Sequence, residues 1–194
     1  RAYVLSPRLG QISADLLDVP AVRLYHDNVL AKQAGCGRTP WHFDDHHFPL
    51  DTNDVVTAWV PAQPIPLEMG PLTFAYPLDV HELVNAVTFE KTGTGYDRGV
   101  SDVFSKNNVS VNETPFELGE VSFHHNLNFH TASSNRTNRS RVALANTYYR
   151  DGARVVNAPT MVSGDWQKFM PNVKPGDVAA SPLNPICWPV KDKS

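Results

Sequence analysis

Sixteen prolines in 194 residues divide this chain into pieces too short for a helical architecture. Each removes a backbone donor and stops a helix or confines a strand to an edge. Between them lie short runs of branched and aromatic residues. Ala21 to Lys32, Phe48 to Pro61, Leu72 to Tyr76, Val121 to Phe129 and Arg141 to Tyr149 all carry strand patterning. Only Ser6-Pro7, an N-cap followed by proline at the first helical position, announces a clear helix, with Leu9, Ile12, Leu16 and Leu17 on one face and an end near Asp18. A short helix is expected between His81 and Phe89. Many short strands with a few flanking helices predict a mainly β fold, an antiparallel barrel or jelly roll.

The connections follow from turn chemistry. Gly35 to Pro40 is expected to be a loop, and the proline-rich stretch from Pro61 to Gly70 an irregular connection. Glu90 to Glu117 is polar and rich in Gly and Asn, which predicts a long loop of the kind that serves as a lid or binding element. The polar run from Thr131 to Ser140 should turn the chain between the last two strands, making them a hairpin. The segment from Pro171 onward, punctuated by prolines, reads as an extended surface arm. One domain over 1–194 accommodates all of this, and because the chain opens at Arg1 without an initiator methionine, part of an N-terminal helical region is expected to be missing.

Charge and cysteine content narrow the functional classes. A net charge of -3 with Lys and Arg scattered along the chain provides no basic stripe for nucleic acid. No stretch approaches the roughly 20 apolar residues that span a bilayer. Two cysteines, Cys36 and Cys187, exclude a disulfide framework and suit reduced thiols in a cytoplasmic protein.

The chemistry concentrates in His42-Phe43-Asp44, with His130 far downstream and Arg141 eleven residues beyond it. On a strand, residues i and i+2 project from one face, so His42 and Asp44 can grip one metal ion, and a third ligand must come from elsewhere. Two imidazoles and a carboxylate on one face of an octahedron leave open positions, as in non-haem Fe(II) oxygenases. His46 shares the expected face of Asp44, whereas His47 reads as a polar strand end. His124 and His125 point to opposite faces of their strand, and neither is chosen as a ligand. Trp41 suits core packing and cosubstrate contact equally.

In order and spacing, these motifs resemble the phytanoyl-CoA dioxygenase family of Fe(II)- and 2-oxoglutarate-dependent oxygenases over roughly Leu5 to Arg150. Thr39-Pro40-Trp41-His42-Phe43-Asp44 is similar to its proximal metal motif, and Ala58-Trp59-Val60-Pro61 to the following strand. Met69-Gly70-Pro71-Leu72 matches the next segment, and Gly119 through His130, with Asn135 and Arg141, matches the distal motif. The resemblance implies a double-stranded β-helix of the jelly-roll or cupin-like type. It also implies His42, Asp44 and His130 as iron ligands and Arg141 as partner of the distal carboxylate of 2-oxoglutarate. Asn28 and Trp59 would line the cosubstrate pocket, with Lys32 on the strand face of Asn28. The implied reaction uses Fe(II), 2-oxoglutarate and O2 to hydroxylate or otherwise oxidise an unactivated C–H of a small organic molecule, yielding succinate and CO2.

Three departures from the family pattern stand out. Ala132 occupies the position, two residues after the distal histidine, where a serine often assists the cosubstrate, leaving Thr131, Ser133 or Arg141 alone to serve. Tyr76 to His81 replaces the usual Pro-Gly-Ser-His segment, and the N-terminal helices are largely absent. Retention of Asp44 speaks against halogenation, which needs a small residue there. Two other classes compete: a catalytically inactive binding module on the same scaffold, and a cupin-type metal isomerase or dioxygenase. The second normally uses His-x-His, which occurs nowhere in this sequence.

Overall fold

The computed structural model describes residues 2–89 and 94–190. Two antiparallel sheets face each other. One has five strands in the order β6 (Ser122–His125), β3 (Val55–Pro61), β8 (Arg141–Arg150), β1 (Val22–Lys32) and β9 (Ile186–Trp188). The other runs β2 (Thr39–His42), β7 (His130–Ala132), β4 (Leu72–Tyr76), β5 (Ser110–Glu113). The strands curl into the jelly-roll barrel that the short, proline-limited runs predict. Among the described residues no helix is long and apolar enough to cross a membrane.

A bulge divides β1 between two compartments. Pairing with β8 slips between Leu24 and His26, leaving Tyr25 without a register partner. An extra residue in one strand reverses which side chains face which way. Val22 and Leu24 therefore pack outward with Val4, Leu9 and Tyr148 beneath α1 (Pro7–Leu17), whereas His26, Asn28, Leu30 and Lys32 line the barrel interior. The same alternation sends Ala143, Ala145 and Thr147 of β8 to the side opposite Tyr148.

Helix α1 forms where Ser6-Pro7 predicts it, and its buried face takes Leu9 and Leu17 from the expected stripe but leaves out Leu16 in favour of small residues. Leu9, Gly10, Ser13 and Ala14 are buried, while Leu16 is 59% exposed. Small residues win because the helix lies tightly on β9; a β-carbon on Gly10 would stand 2.5 Å from the Cys187 carbonyl oxygen.

Three connections depart from expectation. First, the polar stretch 90–117 is not one long loop. Its residues 90–93 lie outside the described residues, but α3 (Gly95–Asn107) and β5 follow. Tyr96, Val100 and Phe104, spaced four apart, bury one face of α3 against Val80, Val84 and Phe129. The polar residues between them are its solvated side. Second, Val121 to Phe129 and Arg141 to Tyr149 make no hairpin. β6 pairs with β3, the chain then breaks at Asn126–Phe129, and β7 joins the opposite sheet beside β2 and β4. The turn after β7 is a crossover between sheets, pinned by the buried Asn135 amide, which donates to the carbonyls of Lys32, Gln33 and Arg139. Third, the C-terminal segment is part of the sheet rather than a surface arm. β9 pairs with β1, the fully buried Asn184 amide donates to the Leu24 and Tyr25 carbonyls, and Met170 and Ala179 sit in the core. Smaller shifts occur elsewhere: β2 begins inside the expected loop at Thr39, and the helix after Tyr76 is a single turn, α2 (Val80–Leu83).

Candidate active site

His42 and His130 are directly opposed across β2 and β7, where the two strands pair at their ends. Their rings lie 4.2 Å apart between centroids. Asp44 follows β2 and has left the strand: its backbone is helical (φ -87°, ψ -17°) and its N–H donates to the Asn126 carbonyl at 2.8 Å. It reaches the histidines by this turn and not by the simple i, i+2 strand geometry. His42 Nε2 stands 3.7 Å, and His130 Nε2 4.0 Å, from Asp44 Oδ1. One ligand atom from each of His42, Asp44 and His130 falls within 4.8 Å of the others, a spacing that a single metal ion can bridge.

Backbone carbonyls fix the histidine tautomers. His42 Nδ1 donates to the Pro40 carbonyl at 2.8 Å, and His130 Nδ1 to the Asn128 carbonyl at 2.9 Å. Both Nε2 lone pairs are thereby free and turned to Asp44, the arrangement in which imidazoles bind metal. Burial, reinforced by His42 and His124, pushes the His130 imidazole down to about 3, and burial also lowers His42. Burial works the other way on Asp44, raising its carboxyl, but His124, His130 and His42 outweigh it and hold the group well below the usual carboxylate range. Neutral imidazoles beside a charged carboxylate are the protonation states that metal coordination requires.

His124 is a further side chain at this cluster, one that sequence reasoning did not choose. It is buried on β6 with Nε2 3.5 Å from Asp44 Oδ2, the oxygen opposite the two other histidines. The alternation of β6 leaves one histidine of the His124-His125 pair inward, and the structure identifies which. His46 and His47 exchange their expected places. Asp45–His47 form a 3-10 turn, so the His46 ring packs at a tilt against Phe43 (4.2 Å between centroids), and His47 lines the cavity. Trp41 is core: it stacks on Phe129 at 5.4 Å and meets Phe104, and its carbonyl accepts from Tyr96 Oη. Helix α3 thus buttresses the strand that carries His42.

A cavity of about 700 Å³ opens from this cluster into the barrel. Asn28, Trp59 and Arg141 all line it. Arg141, 4% exposed, donates through Nη1 to the Gly70 carbonyl at 2.6 Å and holds its guanidinium 5.4 Å over the Trp59 ring. Gly70 has a φ of +71°, and a β-carbon there would strike the Ser133 carbonyl, so glycine is required at that contact. Thr131 and Ser133 are committed elsewhere, to the Thr39 carbonyl at 2.5 Å and Glu113 Oε1 at 2.9 Å, and neither replaces the hydroxyl that Ala132 lacks. The other part of the wall is aromatic, with Tyr25, His26, Phe48 and Phe169 in mutual ring contact.

Comparison with known proteins places these features in context. The family profile described as phytanoyl-CoA dioxygenase (PhyH) matches residues 1–143. Among solved structures, the non-haem alpha-ketoglutarate-dependent carbocyclase SnoK of nogalamycin biosynthesis superposes with a TM-score of 0.75 at 24% identity, over 96% of this chain and 70% of its own. The epimerase SnoN, in complex with Fe3+, alpha-ketoglutarate and nogalamycin RO, gives 0.72 at 22% identity, over 96% and 73%. EctD from S. alaskensis, with 2-oxoglutarate and 5-hydroxyectoine, gives 0.62 at 16%, over 91% and 61%. No curated protein matches the chain.

Proposed function

Since the chain belongs to the phytanoyl-CoA dioxygenase family, whose members are non-haem iron oxygenases dependent on 2-oxoglutarate and O2, we propose that His42, Asp44 and His130 hold its iron and Arg141 anchors its cosubstrate. The observation that carries this reading is the convergence of two Nε2 atoms with fixed tautomers on one half-buried carboxylate. The donor set suits iron: two imidazoles and one carboxylate, with the cavity on the open side.

Iron, with O2 as the oxidant and 2-oxoglutarate as the electron donor, would supply the oxidising chemistry when bound; the chain supplies placement. Backbone carbonyls orient the imidazoles, and the Asn126 carbonyl holds the turn that presents Asp44. Arg141 offers the planar donor fork that fits a carboxylate, in a buried setting where the pair is strong. Trp59 supports the guanidinium from its face, and Asn28 offers an amide to the cosubstrate from β1. The substrate is a small organic molecule seated against Tyr25, His26, Phe48 and Phe169. Hydroxylation of one C–H, with succinate and CO2 released, is the reaction assigned here. Ring closure and epimerisation, the activities named for SnoK and SnoN, are the alternatives the same scaffold supports.

Anaerobic titration of the Fe(II)-loaded protein with 2-oxoglutarate tests the assignment. A weak visible charge-transfer band is expected in the wild type and not in His130→Ala. A folded wild-type protein that gives no band would sink the reading.

A further inference from the structure

A buried ammonium and a buried guanidinium confront each other across β1 and β8. Lys32 is the register partner of Arg141, which sets their β-carbons about 5 Å apart, and both line the cavity. They are 6% and 4% exposed. Among the described residues neither forms an ion pair with an acidic side chain. Like charges directly opposed in a ladder destabilise it, and burial adds the cost of lost hydration. An arrangement of this kind makes physical sense when an anion completes it.

Both cations also hold a donor in reserve. Lys32 Nζ donates to the carbonyls of Ala132 at 3.1 Å and Ser133 at 2.7 Å, leaving the third proton of the ammonium uncommitted. Arg141 spends Nη1 on Gly70, while its Nε is buried with no partner. The two carbonyls that aim Lys32 belong to the segment where the sequence puts a methyl, at Ala132, in place of an assisting hydroxyl. Thr131 and Ser133 point their hydroxyls to other partners, whereas the ammonium is held at this segment by the Ala132 and Ser133 carbonyls.

We propose that Lys32 is a second anchoring cation of the cosubstrate site, acting with Arg141 on the distal carboxylate of a 2-oxo dicarboxylic acid in place of the hydroxyl absent at Ala132. This rests on the reading of the cavity as a 2-oxoglutarate site. Its consequence is selectivity: two cations favour a 2-oxo acid with a second carboxylate over one without.

The experiment is the same anaerobic titration of Fe(II)-loaded protein, followed by the chelate band, with 2-oxoglutarate and with 2-oxopentanoate, which lacks the distal carboxylate. Lys32→Met should weaken 2-oxoglutarate binding about tenfold or more, the loss expected for one charge-assisted bond, and leave 2-oxopentanoate unchanged. Lys32→Gln keeps amide donors for the Ala132 and Ser133 carbonyls without the charge, so it gives the same selective loss should the methionine variant fold poorly. Equal weakening of both acids, or of neither, overturns the proposal while the oxygenase reading stands. A wild-type protein that binds neither acid overturns both together.

Discussion

Two parts of one cavity wall handle charge in opposite ways. Around Asp44 the balance is internal: three histidines surround one carboxylate and hold it in its ionised form. Around Arg141 and Lys32 the described residues bring no carboxylate into an ion pair, and the two cations rest on carbonyl oxygens and the face of Trp59. The first arrangement is a preformed acceptor of cations. The second, on the reading proposed above, receives an anion, and the two together match the charge pattern of a metal chelated by an acid.

The largest break in this contrast comes from the metal side. Asp44→Ala leaves two neutral imidazoles to hold the ion, and we expect iron content to collapse and turnover to vanish, beyond the roughly 10–100-fold cost of losing a supporting residue; full metal occupancy with retained activity would refute the role of Asp44. On the anion side, Arg141→Ala removes a buried charge pair worth about 2–5 kcal/mol. The apparent KM for 2-oxoglutarate should rise about thirtyfold or more. Steady-state kinetics at saturating cosubstrate would separate this from a loss in kcat.

A smaller effect tests whether the internal balance around Asp44 extends beyond the three proposed ligands. His124→Leu deletes the donor facing Oδ2, and Fe(II) affinity measured by anaerobic titration should fall about tenfold, with His124→Gln recovering part of it. Unchanged affinity would reduce His124 to packing.

The smallest effect is a pH dependence confined to the anion side. Burial, with Arg141 directly across the ladder, pushes the Lys32 ammonium down to about 8 from its ordinary 10.5, and only the weaker influence of Cys36 opposes them. Above pH 8 the free protein has released this proton, so binding a dicarboxylate must recover it. Affinity for 2-oxoglutarate should therefore decline as pH rises through 8, by at most about tenfold per unit. Stability without ligand moves the other way. At Lys32 the unfolded chain binds more protons between about pH 8 and 10.5, so this residue's contribution to unfolding free energy rises with pH across that window, while the raised Cys187 thiol contributes with the opposite sign above about pH 9. Denaturant titrations at pH 7.5 and 9.5 on wild type and Lys32→Met should show a more positive slope in the wild type, the difference between the two reporting Lys32; equal slopes would refute it.

Legibility in the sequence follows the range of the interactions. Strand runs, the helix at Ser6-Pro7 and the proline-rich connections depend on neighbours in the chain and could be read there. The convergence of His42, Asp44 and His130 was approached through motif order, although the turn at Asp44, set by a hydrogen bond from its backbone N–H to Asn126, lies outside any pattern of alternation. Helix α3 escaped notice because its three buried residues are diluted by polar ones, and their value depends on Phe129 and Val80 across the barrel. The supposed hairpin failed for a related reason. Sequence proximity pairs the Val121 to Phe129 run with β8, whereas Asn135 binds the end of β1, some 100 residues earlier, and carries the chain over to the other sheet.

The bulge at Tyr25 gives β1 two addresses. Residues before it answer to the helix on the outside, and residues after it answer to the ligand within, so substitutions in Val22 and Leu24 should register as changes in melting temperature, whereas those in Asn28 and Lys32 register as changes in what the protein binds. Removing that single residue would shift the phase of the second half, turning Asn28, Leu30 and Lys32 outward together. One backbone position therefore decides whether three side chains belong to the chemistry or to the solvent.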